Sequence, residues 1–118
     1  MYPILLVFVG GGLGSLCRWG LSLLFQPILP RFPWATMAAN GLACLLLGML
    51  LASQIQGGDS RRLMWVVGFC GGFSTFSTFS AETWQLWASG QQTWAAMNLV
   101  GSLLLCLGCL LLGMKIIT

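Results

Sequence analysis

The sequence predicts an all-α membrane protein of four transmembrane helices, and three observations indicate this fold class. The apolar fraction is 58% and the charged fraction is 6%, whereas about a quarter of the residues of a soluble domain are charged. Four stretches are long and apolar enough to cross the roughly 30 Å hydrocarbon core of a bilayer. Tryptophans lie near the proposed ends, as is typical of interfacial aromatic residues: Trp34, Trp65, Trp84, Trp87 and Trp94.

The four predicted spans form one domain over residues 1–118. They cover residues 3–25, 34–53, 63–87 and 94–117. The first connection holds three prolines and Arg31, and the second, residues 54–62, is the most polar stretch of the chain. An even number of spans places both termini on the same side of the membrane.

The reactive side chains give no sign of an enzyme. The chain has no histidine, and no general base is near a nucleophile in sequence. All five cysteines lie in apolar runs. We interpret Cys106 and Cys109 as small packing residues on one helical turn rather than as a redox or metal motif. No basic patch is large enough to bind nucleic acid.

The charges bias the orientation only weakly. Arg61, Arg62 and Lys115 are expected on one side of the membrane and Arg31 on the other, and positive charge favours the cytoplasmic side. Two alternatives follow: insertion both ways round, which leads to an antiparallel dimer, or a single orientation with the middle connection inside the cell. Four short helices enclose no obvious pore, so a channel or transporter of this length is expected to be an oligomer.

The third span holds the most specific pattern of the chain. Gly71 and Gly72 precede a run of Phe, Ser and Thr that continues to Ser80. Each glycine weakens a helix by about 1 kcal/mol relative to alanine, so we predict a break at this pair. Carbonyls freed at membrane depth must be satisfied by protein, water or an ion, and they can coordinate a cation.

Beyond the glycines the pattern repeats every three residues. The phenylalanines form one slowly drifting stripe, the serines a second and the threonines a third: Phe73, Phe76 and Phe79; Ser74, Ser77 and Ser80; Thr75 and Thr78. The positive edges of the rings and the hydroxyl donors can replace part of the hydration shell of a small anion. The alternative is that the rings pack and the hydroxyls bond to their own helix. For the run as a whole we favour function.

Two polar residues lie inside the first two spans. Asn40 either joins two helices by hydrogen bonds or offers its amide N–H to an anion. An arginine inside the membrane is a functional candidate by default. Arg18 either extends to the nearer membrane surface or lines an aqueous vestibule. The glycines before it, in the segment GGGLG at 10–14, indicate a close-packing helix surface.

The third and fourth spans carry further polar residues. Asn98 and Ser102 are four residues apart and so share a helix face, where they can bond across helices or extend a polar track. Glu82 follows the hydroxyl run, and we expect it at the membrane interface.

These segments resemble a known family. The run GFCGGFSTFSTFS at 68–80, the segment GGGLGSLCR at 10–18 and the triplet ANG at 39–41 are similar to the signature of the bacterial fluoride channels, the Fluc or CrcB family. The resemblance covers nearly the whole chain. It implies an antiparallel, dual-topology homodimer in the cell inner membrane, with two separate pathways that export fluoride passively and are not enzymatic.

The resemblance also implies roles for individual residues. It assigns the fluoride pathway to Phe76, Phe79, Asn40, Ser77, Thr78, Ser102 and Arg18. It further implies a structural sodium ion (Na+) at the dimer centre, held by the backbone carbonyls of Gly71 and Ser74. The chain departs from the family in having Ser74 where Thr is common and Asn98 where Tyr is frequent.

Two rival functions remain for comparison. A proton-coupled small multidrug transporter would need a carboxylate within the membrane, and Asp59 and Glu82 both fall near predicted span ends. A non-conducting structural subunit would give no reason for a Phe/Ser/Thr run beside two glycines. We therefore favour a fluoride channel whose partners are fluoride, a second copy of the chain and the lipid bilayer.

Overall fold

A computed structural model of the chain describes residues 3–25, 33–53 and 60–117. None of these residues belongs to a β-strand, and four helical segments are long and apolar enough to cross a membrane. The all-helical, four-span prediction is therefore confirmed. Arg31 and Asp59, to which the sequence analysis gave positions near span ends, lie outside the described residues.

The helices begin and end close to the predicted positions. Helix α1 is Pro3–Phe25, α2 is Trp34–Ala52 and α5 is Gln92–Ile117. The third span, Arg62–Ala88, has two halves. Its first half, α3, consists of the wide π-helical stretch Arg62–Cys70 and one α-helical turn, Gly71–Phe73, and its second half, α4, is Phe76–Ala88. The sequence analysis did not anticipate the π-helical stretch.

Glycines allow α1 to lie directly against α3. A Cβ atom at Gly10 or Gly14 would collide with the backbone of α3, and one at Gly72 would collide with the backbone of Gly11. Gly12 faces open space. The predicted close-packing role is therefore confirmed for Gly10 and Gly14, because only a residue without a side chain permits this approach.

Glycines also allow α2 and α5 to pack in direct backbone contact. A Cβ atom at Gly48 would collide with the carbonyl of Leu110, and one at Gly113 would collide with that of Leu45. Closer to the third span, α2 contributes Ala39 and Ala43, which bury Phe73. Small residues on α2 thus allow both α5 and the broken third span to pack closely against α2.

The helices leave most of their apolar surface uncovered. In the most apolar window of each span, between 11% and 28% of the residues are buried inside the chain. A soluble monomer rarely exposes apolar patches of this extent. The surface therefore requires lipid or a second protein to cover it.

Candidate functional site

The third span breaks at Ser74 and Thr75, two residues that have extended backbone conformations. Ser74 has φ −83° and ψ 155°, and Thr75 has φ −151° and ψ 120°. Gly71 remains helical, with φ −64° and ψ −36°, so the predicted break at Gly71 and Gly72 was placed too early. Gly72 serves a different purpose, because it allows the backbone of α1 to approach.

Asn40 satisfies both backbone groups of the residue at the break. The Thr75 N–H donates to Asn40 Oδ1 at 2.8 Å, and Asn40 Nδ2 donates to the Thr75 carbonyl at 3.3 Å. These two bonds fix which end of the amide faces which group. Asn40 thus supplies, from α2, an acceptor for the Thr75 N–H and an additional donor to the Thr75 carbonyl.

Two further side chains take up backbone groups near the break. Arg18 Nε donates to the Gly72 carbonyl at 3.3 Å. Thr75 Oγ1 accepts from the N–H of Thr78 at 3.2 Å and so caps the start of α4, which is the usual role of a threonine at this position. Arg18 is therefore bonded to the last turn of α3, just before the break, an arrangement that neither sequence alternative anticipated.

The carbonyls of Gly71 and Ser74 lose their usual helical donors. In a continuous helix each carbonyl accepts from the N–H four residues later, which would be that of Thr75 for Gly71 and that of Thr78 for Ser74. Both N–H groups donate instead to side chains, on Asn40 and Thr75. The two carbonyls predicted to hold a cation are thus among the carbonyls before α4 that lack their usual helical donors.

The break also separates phenylalanines that the sequence analysis placed on one stripe. Phe73 belongs to α3 and is buried against Ala39 and Ala43. Phe76 and Phe79 belong to α4, with ring centroids 5.7 Å apart and planes inclined by 43°. Phe76 is 78% exposed in the protomer. The single three-residue stripe was wrong, because an extended pair of residues resets the direction of the helix.

An open cavity of about 400 Å³ lies beside the break. Four of the seven residues predicted for the fluoride pathway line it, namely Asn40, Phe76, Phe79 and Ser102, and Ser74 lines it as well. Its other lining residues are Cys44, Thr75, Leu99, Leu103 and Cys106. The structure thus brings together residues of α2, α4, α5 and the break.

Three residues predicted for the pathway do not line this cavity. Ser77 is exposed on α4, with its hydroxyl 3.3 Å from that of Thr75. Thr78 is half-buried and contributes its N–H to the helix cap, and Arg18 lies at the Gly72 carbonyl. Their roles in the pathway stay predictions.

Three features of the site were not predicted from the sequence: the helix-capping role of Thr75 and the positions of Cys44 and Cys106 at the cavity. Threonine is a common N-cap residue at the start of a helix, so the capping role of Thr75 was within reach of the sequence. The positions of Cys44 and Cys106 were not, because they depend on how α2 and α5 pack. Cys106 lines the cavity, and the interpretation of Cys106 as only a packing residue was therefore incomplete.

A directed chain of hydrogen bonds leads from the cavity into α4. The Ser102 hydroxyl donates to Asn98 Oδ1 at 3.2 Å, Asn98 Nδ2 donates to Thr83 Oγ1 at 2.8 Å, and Thr83 donates to the Phe79 carbonyl at 2.8 Å. Asn98 is only 1% exposed. The first sequence alternative is therefore confirmed, because Asn98 bonds across helices, whereas the polar track stays a prediction that the position of Ser102 at the cavity supports.

Glu82 lies inside α4 rather than at its end. The side chain is half-buried next to Thr36, and its Oε1 is enclosed without a hydrogen-bond partner among the described residues. Glu82 does not line the cavity beside the break. The packing of α4 against its neighbours thus encloses part of this carboxyl, and its expected interfacial position stays a prediction.

The comparison with known families decides where the chain belongs. The model of the family described as "CrcB-like protein, Camphor Resistance (CrcB)" matches residues 5–114. The chain belongs to the CrcB family. The match extends from α1 to α5, so it includes every residue that lines the cavity.

Curated CrcB relatives are similar to the chain along most of its length. A protein of Phocaeicola vulgatus named fluoride-specific ion channel FluC is 43% identical over 108 residues, which is 89% of either chain. Proteins with the same name from Escherichia fergusonii, 43% identical over 86% of this chain and 82% of the relative, and Nitrobacter winogradskyi, 40% identical over 97% and 94%, agree with it. The family resemblance and its non-enzymatic character are confirmed.

Proposed function

We propose that this chain is a fluoride-selective channel that passively exports cytoplasmic fluoride across the cell inner membrane. The observation that carries the proposal is the cavity beside the break, where the Asn40 amide, the Phe76 and Phe79 rings and the Ser102 hydroxyl converge. The names of the curated relatives support the choice of fluoride.

The chemistry of the cavity suits weak binding of a small anion. None of its lining residues carries a formal charge. Asn40 Nδ2 has two N–H groups, and the bond to Thr75 uses one of them, which leaves the other for fluoride. Phenyl ring edges carry partial positive charge. Partial charges of this kind replace hydration without holding the ion too tightly to leave, which rapid conduction requires.

The direction of transport follows from electrostatics. A negative potential inside the cell repels an anion, and moving one charge across 100 mV is worth about 2.3 kcal/mol. Fluoride enters a cell as neutral HF and ionises there. An open anion pathway is then sufficient for export without coupling to another energy source.

We further propose that the channel is an antiparallel homodimer with dual topology. Phe76 is 78% exposed beside an open cavity, so one protomer does not enclose a complete pathway. A second copy placed against α3 and α4 would cover this face. The weak charge bias of the sequence, with Arg61, Arg62 and Lys115 expected on one side and Arg31 on the other, supports insertion both ways round.

The break fits a structural sodium ion at the dimer centre. The carbonyls of Gly71 and Ser74, whose helical donors go to Asn40 and Thr75, would hold it, and Gly71 is exposed on the protomer surface. Two carbonyls from each copy give four oxygen ligands, the type that hard cations prefer. When bound, the ion supplies a positive charge that joins the two copies.

Fluoride efflux from liposomes tests the proposal and separates it from both rivals. Liposomes that contain only this protein are loaded with potassium fluoride, and valinomycin lets potassium follow the anion. We expect fluoride release without a pH gradient. Release that requires a proton gradient would favour the coupled transporter and give a role to the enclosed Glu82 carboxyl. No release from correctly inserted dimer would leave only the structural subunit.

Two measurements test the assembly. A tag on the C-terminus should be accessible from both sides of the membrane, whereas a tag on one side only would contradict dual topology. Replacing sodium by N-methylglucamine throughout purification should weaken the dimer. A dimer of unchanged stability would argue against the sodium site without affecting the channel proposal.

A further inference from the structure

The backbone fixes the direction of the hydrogen-bond chain that leads from Phe79 to Ser102. The Phe79 carbonyl can only accept, so the single hydroxyl proton of Thr83, at 2.8 Å, is committed to it. The Thr83 oxygen then accepts from the Asn98 amide nitrogen at 2.8 Å. Asn98 therefore turns its Oδ1 toward Ser102, whose hydroxyl donates to it at 3.2 Å. The only proton of Ser102 is thus bonded within the protein.

Burial keeps the Asn98 amide in this orientation. Asn98 is 1% exposed and Ser102 is 4% exposed, so bulk water has little access to either side chain. A turned amide would place its oxygen against the Thr83 hydroxyl, whose proton already belongs to the Phe79 carbonyl. The amide would then lose a partner, and a buried polar group without a partner carries its full desolvation cost.

The consequence for the cavity is that Ser102 presents a hydrogen-bond acceptor to it. A serine hydroxyl has one proton and two lone pairs. Ser102 lines the cavity, but its proton points to Asn98. Lone pairs repel an anion and accept from water. One water molecule can donate one proton to Ser102 and the other to fluoride, and such a bridge is nearly as favourable as a direct hydrogen bond.

Asn40 lines the same cavity with the opposite polarity. Its Nδ2 carries two N–H groups, and the bond to the Thr75 carbonyl uses one of them. The Phe76 and Phe79 rings, which also line the cavity, add the partial positive charge of their edges. The cavity therefore offers donors on α2 and α4 and an acceptor on α5.

We propose that Asn98 and Thr83 are positioning residues that hold Ser102 as an acceptor, so that a water molecule at Ser102 stays bound to fluoride as the anion passes. The passage of fluoride rests on the proposed function, whereas the direction of the hydrogen-bond chain does not. The retained water keeps part of the hydration shell in place. The protein then binds the anion weakly enough for it to leave, as conduction requires.

Nuclear Overhauser contacts in the wild-type protein test the direction of the chain without any transport measurement. The protein is isotope-labelled and reconstituted in lipid nanodiscs. The Asn98 side-chain N–H protons should show stronger contacts to the Thr83 methyl group than to the Hβ protons of Ser102. Stronger contacts to Ser102 would mean that the amide is turned, and this result would overturn the proposal.

Two substitutions should release the Ser102 proton to the cavity. Thr83→Val removes the hydroxyl that fixes the amide, and Asn98→Leu removes the acceptor itself. Because hydrogen bonds to charged groups are the stronger ones, the fluoride concentration for half-maximal efflux should fall at least about threefold in each variant. The maximal rate should also fall, since a tightly held ion leaves slowly. A lower maximal rate with an unchanged half-maximal concentration would indicate a purely structural role and overturn the proposal.

Three further variants show whether Thr83 acts through Ser102. Thr83→Ser keeps the hydroxyl and should retain the wild-type half-maximal concentration. Ser22→Ala removes a hydroxyl that bonds to its own helix on α1, and it should change neither property. In a Ser102→Ala background Thr83→Val should cause no fall, because no serine proton is left to release. A fall of the same size in that background would overturn the proposal. If only one of Thr83→Val and Asn98→Leu assembles, that variant decides the test.

The two measurements separate failure of this inference from failure of the channel. If the protein releases no fluoride, the Overhauser contacts still decide whether Asn98 and Thr83 hold Ser102 as an acceptor. If fluoride flows and the contacts show a turned Asn98 amide, the channel stands and the inference fails.

Discussion

Asn40 and Thr75 form a two-way hydrogen-bonded pair across the break in the third span, at 2.8 Å and 3.3 Å. Thr75 has an extended backbone and caps the start of α4, so its N–H donates outside the helical ladder. The side-chain amide of α2 supplies one acceptor and one donor in the required order. The same side chain lines the cavity, so it joins the structural support of the break to the proposed path of the anion.

The substitution Asn40→Asp should stop conduction while preserving the fold. A carboxylate keeps the acceptor for the Thr75 N–H but removes the donor, and it places a negative charge at the cavity. Repulsion between unit charges near 4 Å is of the order of 1–4 kcal/mol, so fluoride efflux should fall at least about tenfold. Gln85→Glu, which adds the same charge at an exposed position of α4, is the matched control and should conduct normally. Equal efflux from the wild type and Asn40→Asp would remove Asn40 from the pathway.

The substitution Phe79→Ile should reduce fluoride efflux strongly without unfolding the dimer. Isoleucine fills much of the same space but lacks the positive ring edge that the anion is proposed to contact. Phe8→Ile serves as the control, because Phe8 is 76% exposed on α1 and does not line the cavity. Liposome efflux and size-exclusion chromatography measure the two properties. A Phe79→Ile protein that conducts at the wild-type rate would take the ring edge out of the mechanism.

The two adjacent glycines of α3 should respond differently to alanine. A Cβ atom at Gly72 would collide with the backbone of Gly11, whereas one at Gly71 meets no atom of the protomer within 4 Å. Gly72→Ala should therefore destabilise the protein by about 1–3 kcal/mol, as overpacking typically does. Gly71→Ala should retain the protomer fold, because Gly71 has a helical backbone conformation. Denaturant unfolding followed by circular dichroism measures both, and equal losses would contradict the close approach of α1.

The bond between Asn98 and Thr83 should appear as a coupling energy between α5 and α4. Asn98 Nδ2 donates to Thr83 Oγ1 at 2.8 Å. Hydrogen bonds between membrane helices average about 0.6 kcal/mol in double-mutant cycles. Asn98→Ala, Thr83→Val and the double variant should give a coupling of this size in unfolding experiments. As the control, Asn98→Ala combined with Ser22→Ala on α1 should be additive, since Ser22 bonds only to its own helix. A coupling of zero for Asn98 and Thr83 would mean that the bond does not join the helices.

The boundaries of the spans were open to prediction because hydropathy reports directly on the solvent. The fourth span was predicted to begin at residue 94 and begins at Gln92. Its start follows a local signal, since Gly90 has φ 86° and the chain turns there through bonds from Gly90 and Gln91 back to Trp87 and Leu86. Local features of this kind depend on a few neighbouring residues, so the sequence shows them.

The position of the break depended on residues far away in sequence. Glycine propensity pointed to Gly71 and Gly72, but Gly72 is needed against α1, and the extended residues are those that Asn40 can reach. The burial of Phe73 depends on the same position of the break. Because the break follows Phe73, this residue belongs to α3 and packs in the core with Ala39 and Ala43. Propensity alone contains no information about these partners.

The sequence by itself determined that the chain is helical and apolar enough to cross a membrane four times, and its third-span motif indicated the CrcB family. Only the tertiary structure decided that the break lies at Ser74 and Thr75, that Arg18 bonds to Gly72, and that Cys44 and Cys106 line the same cavity. The physical reason is that hydropathy and periodicity are properties of neighbouring residues. The partners of a freed backbone group are set by how distant helices pack.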